Sequence, residues 1–167
     1  DLRKVVILLA HPNIKESQAN KALVDAVSDM EGVAVFNLYE LSQEIAFNVD
    51  EWSKIISDAS AVIYQFPFYW MSAPSLLKKW QDEVFTFLSK TPAVAGKSLT
   101  VVTTTGSEYE AYRSGGRNRF TMDELLRPYQ VSAIHSGMSW QTPIVVYGMG
   151  TADAGKNIAE GANLYKQ

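Results

Sequence analysis

The chain has 167 residues, of which 47% are hydrophobic and 20% charged, with a net charge of -3 and a pI of about 5.4. That suits one globular domain with one sizeable core, and the absence of a basic balance argues against nucleic-acid binding. With no cysteine and only two histidines, His11 and His135, far apart in sequence, disulfides and thiolate chemistry are excluded and a histidine-rich metal site is disfavoured. No apolar run reaches a bilayer's thickness, and none has the flanks of a signal peptide, so a cytoplasmic chain is expected.

Residues 5–10, V-V-I-L-L-A, form a continuous apolar run. Such a run is what a central parallel strand shows when both its faces are covered. It stops at His11-Pro12-Asn13. Ser17 is a candidate N-cap, and Ala19, Leu23, Ala26, Val27 and Met30 recur at helical spacing after it. Residues 33–38 read as a second strand. Residues 39–49 read as a connection anchored by Ile45 and Phe47. Asp50 is expected to cap a short helix carrying Trp52, Ile55 and Ile56.

The next stretch is the most informative. A third apolar run, 61–66, breaks at Pro67 and is followed at once by Phe68, Tyr69 and Trp70. Ser72 and Pro74 then open a helix that buries Leu76, Leu77, Trp80, Val84 and Leu88. In an open parallel sheet, ligands sit beyond the carboxyl ends of the strands. Three rings placed there point to a flat ligand, although large aromatics serve equally well under a loop or in a subunit interface.

Residues 98–104 form a fourth strand, and 106–118 a long polar, glycine- and tyrosine-containing loop of the kind that carries function. Thr121 and Glu124 match a capping box. Pro128 interrupts the helix that follows. A fifth strand is expected over 140–147, then a weak terminal helix containing Gly155 and Gly161. Strands alternating with helices define a parallel α/β fold. Five such units match a flavodoxin-like three-layer sandwich with strand order 2-1-3-4-5, a single domain over 1–167. In that order, the loops after the first, third and fourth strands rim one crevice.

The first of those loops runs into a helix N-terminus, where free N–H groups and the helix dipole favour an anion, typically phosphate. His11, Ser17 and Asn20 can add donors, though a turn-bonded histidine and a plain serine cap account for the same residues. Neither G-x-G-x-x-G nor a P-loop is present.

Together, H-P-N-I-K-E-S-Q-A-N, Q-F-P-F-Y-W-M-S-A-P-S-L-L-K-K-W-Q-D-E-V-F and V-T-T-T-G-S-E-Y-E-A-Y-R-S-G-G-R-N closely resemble the flavodoxin-like NAD(P)H:quinone oxidoreductases. The nearest likeness is to the short bacterial branch, which includes the ancillary subunits of glutathione-gated potassium efflux systems. The resemblance spans residues 4–148. It implies a non-covalent flavin, FMN rather than FAD, and NAD(P)H as reductant. It also implies two-electron hydride transfer to a quinone and a homodimer with its sites at the subunit interface.

Carried over by position, His11, Ser17, Gln18, Ala19 and Asn20 match the flavin phosphate and ribityl loop. Pro67, Phe68, Tyr69 and Trp70 match the segment lining the isoalloxazine, and Thr104, Thr105, Gly106 and Ser107 the segment at its polar edge. Ser107 replaces a usual glycine, and its side chain is expected to crowd the ring edge or shift the backbone. Tyr112 matches a tyrosine that assists hydride transfer in larger members, and Asn118 falls where they carry a histidine. These two are the catalytic candidates, but asparagine cannot relay a proton as imidazole does. Two other roles stay open: a regulatory subunit peripheral to a membrane transporter, and a flavodoxin-type electron carrier. Against the carrier, the first loop is not threonine- and serine-rich, and the charge is only -3.

Overall fold

The computed structural model describes residues 4–41 and 46–167. The expected anchor Ile45 lies outside them. Strands β1 (Val5–Leu9), β2 (Val33–Asn37), β3 (Ala61–Pro67), β4 (Ser98–Thr104), β5 (Ser139–Trp140) and β6 (Ile144–Val146) form one wholly parallel sheet. Its order is β2-β1-β3-β4, with β5 and β6 in succession along the far edge of β4. The flavodoxin-like order holds, with one correction. The single last strand expected over 140–147 is two short ones, because Pro143 lies between them and has no N–H to donate to a ladder.

Helices α1 (Ala19–Ser28) and α8 (Ala154–Tyr165) cover one face of the sheet. Between them, α2 (Leu38–Leu41), α3 (Val49–Asp58), α4 (Ser75–Trp80), α5 (Thr86–Leu88), α6 (Met122–Leu125) and α7 (Arg127–His135) complete the chain. A π-helical stretch, Gln81–Phe85, joins α4 to α5. The larger core lies under α3 to α7. There Trp52, Trp80, Tyr64 and Tyr129 pack edge-to-face in that order, with centroids 5.5–6.1 Å apart.

Local signals account for the helix boundaries. The Thr121–Glu124 capping box forms in both directions. Pro128 sits in the first turn of α7, where a missing N–H costs nothing. The cap of α3 is Asn48, whose side chain accepts from Glu51 N, and not the expected Asp50, which lies inside the first turn.

The smaller core holds Ile7, Leu23, Val27, Val102, Val146 and Tyr165. Gly161 lets α8 approach the sheet: a Cβ there would come within 2.4 Å of Val146 Cγ2. That contact sets the depth at which α8 lies beside the carboxyl ends of β1, β3 and β4.

Candidate functional site

β1, β3 and β4 all end at one edge of the sheet, and the loops that leave them enclose a cleft of about 460 Å³. This is within the usual size of a small-molecule site. Its walls hold His11, Ser17, Gln18, Ala19 and Asn20 from the first loop and helix. They also hold Pro67, Phe68 and Tyr69 from the second loop, and Thr104, Thr105 and Gly106 from the third. Among the described residues, no carboxylate lines it. A larger hollow of about 740 Å³ toward the amino ends of β3 and β4 has a mixed lining that includes Ser60, Ser98 and Thr100 with Ile63, Ile144 and Leu164. It lies at the end of the sheet away from the switch point, where ligands of open α/β folds do not sit.

The first loop is built to present donors. Asn13 N donates to His11 Nδ1 at 3.0 Å, so the ring proton of neutral His11 is on Nε2. Burial lowers the His11 pKa and favours this neutral form. Ser17 Oγ accepts from Asn20 N at 3.0 Å, which is the expected cap bond. Gln18 N and Ala19 N have no acceptor among the described residues. These two N–H groups stand at the positive end of a ten-residue helix.

The second loop is strained. Phe68 N is tied to Thr104 O at 2.9 Å, and Ser72 N to Tyr69 O at 3.0 Å. Between Tyr69 and Ser72, Trp70 and Met71 both take positive φ, 46° and 61°, as the centre of a type I′ turn demands and as bulky residues rarely do. The turn holds Trp70 93% exposed.

In the third loop the carbonyls of Thr105, Gly106 and Ser107 accept from Met149, Gly150 and Gly148 at 2.8–2.9 Å. Gly106 N and Ser107 N have no acceptor among the described residues. Fixed carbonyls with unspent amides make this edge a donor toward the cleft.

The remaining sequence-derived candidates stand differently. Trp70 projects at the rim, and Ser107 lies next to the cleft, outside its lining. Tyr112 is buried, with its ring edge-on to Phe68 at 6.2 Å and 5.9 Å from Tyr147. It lies outside the lining, in contact with the lining residue Phe68. Asn118 is half-buried and ties the loop together by donating its N–H to Ala111 O; it too is outside the cleft lining. Asn20 lines the cleft but is only 2% exposed, and its side chain is spent on Thr104 and Gln65.

Sequence reasoning missed the fourth wall, Met149, Ala154 and Ile158. Ala154 and Ile158 fall at i, i+4 on α8, a readable signal once that helix is placed against the sheet. It also missed Gln65, a fully buried amide in an otherwise apolar strand.

An open phosphate-type cradle at one end, a wall of Pro67, Phe68, Tyr69, Met149 and Ile158, and free N–H donors on the third loop fit a flat phosphorylated ligand such as FMN. The comparisons agree in family. The chain is 36% identical over 169 residues to the uncharacterized NAD(P)H oxidoreductase YdeQ of Bacillus subtilis, covering 99% of this chain and 85% of that protein. It is 36% identical over 148 residues to KefG, an ancillary protein of the glutathione-regulated potassium-efflux system of Serratia proteamaculans, covering 86% and 81%.

Among solved structures, general stress protein 14 of Treponema denticola in complex with FMN superposes with a TM-score of 0.88 at 30% identity, covering 97% of this chain and 95% of that one. An NADPH-quinone reductase of P. pentosaceus gives 0.81 at 26%, covering 97% of each. A chain from a crystal described as a thermophilic tryptophan halogenase of Streptomycin violaceusniger gives 0.88 at 35%, covering 96% and 95%. The family described by its flavodoxin-like fold matches residues 3–167, and the chain belongs to it.

Proposed function

We propose that this protein is an FMN-dependent NAD(P)H:quinone oxidoreductase. The observation that carries the reading is the pairing, in one carboxylate-free cleft, of unspent N–H groups at the start of α1 with the flat wall of Pro67, Phe68 and Tyr69. Gln18 N, Ala19 N and His11 Nε2 would hold the phosphate, the commonest ligand of a helix N-terminus. Phe68, Tyr69 and Met149 would flank the ring system, and Gly106 N would donate to its polar edge. The bound flavin supplies the hydride chemistry, taking two electrons from NAD(P)H and giving them to the acceptor. The chain's own part is binding, orientation and charge stabilisation. The FMN complex and the reductase name among its similar structures support this reading. FAD is the less favoured cofactor, and a cytoplasmic location, where NAD(P)H is at hand, goes with the proposal.

The decisive experiment is a visible spectrum of the purified protein titrated with FMN, followed by anaerobic NADPH. Saturable binding of one FMN per chain, then bleaching and quinone-dependent reoxidation, is the expected result. If neither FMN nor FAD binds at micromolar concentration, the reading fails.

A second role, regulation of a potassium transporter, is favoured by the similarity to KefG. No helix among the described residues is long and apolar enough to cross a membrane, so this role would be peripheral, and co-purification with a transporter tests it. An electron-carrier role lacks a comparable supporting observation.

We also propose a homodimer. Phe66, Trp80 and Phe85 are core residues and offer no surface for it. The case rests instead on Tyr69, Trp70 and Met71, three consecutive exposed apolar residues at the cleft rim, which a twofold contact would cover. Sedimentation with FMN present should give the dimer mass at tens of micromolar, and a monomer there removes the claim.

A further inference from the structure

β3 is apolar except at Gln65, whose side chain is wholly buried in the middle of the sheet. A buried amide needs partners on both its ends. Gln65 Nε2 donates to Asn20 O at 2.9 Å and faces Asn20 Oδ1 at 3.4 Å. Gln65 Oε1 accepts from the Tyr165 hydroxyl at 3.0 Å. Asn20 in turn donates from Nδ2 to Thr104 Oγ1 at 3.1 Å. These four residues come from α1, β3, β4 and α8.

Each link has one polarity. Tyr165 is the donor at its end, and burial, which raises its pKa, keeps the proton on the oxygen. The main-chain carbonyl of Asn20 can only accept, so Gln65 turns its NH₂ to Asn20 and its carbonyl to the Tyr165 hydroxyl. Asn20 turns its carbonyl to Gln65 and its NH₂ to Thr104. Thr104 Oγ1 accepts, so its own proton is left to give. No acceptor among the described residues takes that proton, and Thr104 lines the cleft.

We propose that Tyr165, Gln65 and Asn20 form an orienting relay that fixes the Thr104 hydroxyl as a hydrogen-bond donor toward the bound ligand, with Tyr165 as a positioning residue acting through Thr104. The identity of the ligand rests on the FMN reading above; the polarity of the relay does not. A cleft wired this way selects an acceptor, such as a carbonyl or ring nitrogen, opposite Thr104.

The test is a double-mutant cycle on FMN affinity, read by fluorescence quenching, with apo-protein melting as a control. Thr104→Val removes the donor and keeps the shape. It should weaken FMN roughly tenfold, and Tyr165→Phe roughly three- to tenfold. In the Thr104→Val background, Tyr165→Phe should have no further effect on affinity, because the group it orients is gone. A merely structural tyrosine would instead lower affinity by the same factor in both backgrounds, and that result overturns the relay. So does an affinity for Tyr165→Phe within twofold of wild type.

If Tyr165→Phe does not fold, the paired change Gln65→Met with Tyr165→Phe takes its place in the cycle. It replaces both partners of that bond by apolar groups. A wild-type chain that binds no flavin overturns the functional reading and the relay's ligand together. A wild type that binds FMN with additive variants overturns the relay alone.

Discussion

His11 shows how one side chain can serve as both turn and donor. Its Nδ1 accepts from Asn13 N, which a protonated ring cannot do. Its pKa lies below the ordinary value because burial penalises the charge, so the unfolded chain takes up the proton first. The contribution of neutral His11 to stability is therefore complete above the unfolded pKa of about 6.5 and is lost as pH falls through the lower folded value. The apo-protein should lose more melting temperature between pH 7 and pH 5 than His11→Asn, whose amide oxygen can accept the same bond without titrating. Equal losses would mean that His11 is not linked to folding. Tyr112 makes a contrasting case. The sequence pointed to its hydroxyl, but the structure puts its ring against Phe68, behind the cleft wall. Tyr112→Phe keeps that packing and should change the rate of flavin reduction less than about threefold. Tyr112→Ala loosens Phe68 and should slow reduction or weaken FMN by roughly tenfold, the scale of about 1.4 kcal/mol. Stopped-flow reduction by NADPH separates the two.

At the scale of elements, α8 carries two glycines that look alike in sequence and differ in the fold. A Cβ at Gly155 meets nothing within 4 Å, whereas at Gly161 it would overlap Val146. Gly155→Ala should stabilise by roughly 0.4–1 kcal/mol through helix propensity and the unfolded state. Gly161→Ala should destabilise by about 1–3 kcal/mol, since α8 must lift off the sheet. Urea unfolding of the two variants checks the pair. The same helix shows what could be read from the chain and what could not. The central strands, the capping box and the break at Pro128 are local signals, carried by residues within a few positions of one another, and they were legible. The three loops of the cleft followed from strand order. Which side chains face inward did not, because that depends on how closely α8 and the 148–150 segment approach loops more than 40 positions away. Hence Met149 and Ile158 went unnoticed, and nothing local showed that the Tyr112 ring packs against Phe68. Pro143 was a readable break in the last strand.

For the whole molecule, the cleft is a product of long-range closure. Asn20 and Thr104 are 84 positions apart, and Gln65 and Tyr165 are 100 apart. Every sheet pairing is parallel, so none can form as a local hairpin. The polar floor of the site exists only once α1, β3, β4 and α8 are all in place. This has a kinetic consequence. A cofactor cannot template a pocket that forms last, so FMN should act on the finished state alone. At a hundredfold excess over Kd it should add about 2.7 kcal/mol of stability, taken from the unfolding limb. Unfolding should slow by roughly a hundredfold, while refolding from urea proceeds at the same rate with or without FMN. Acceleration of refolding by FMN would mean that the cleft assembles before the rest of the sheet. If FMN leaves refolding unchanged, the fold comes first, and the flavin acts as a latch on a chain that has already found its shape.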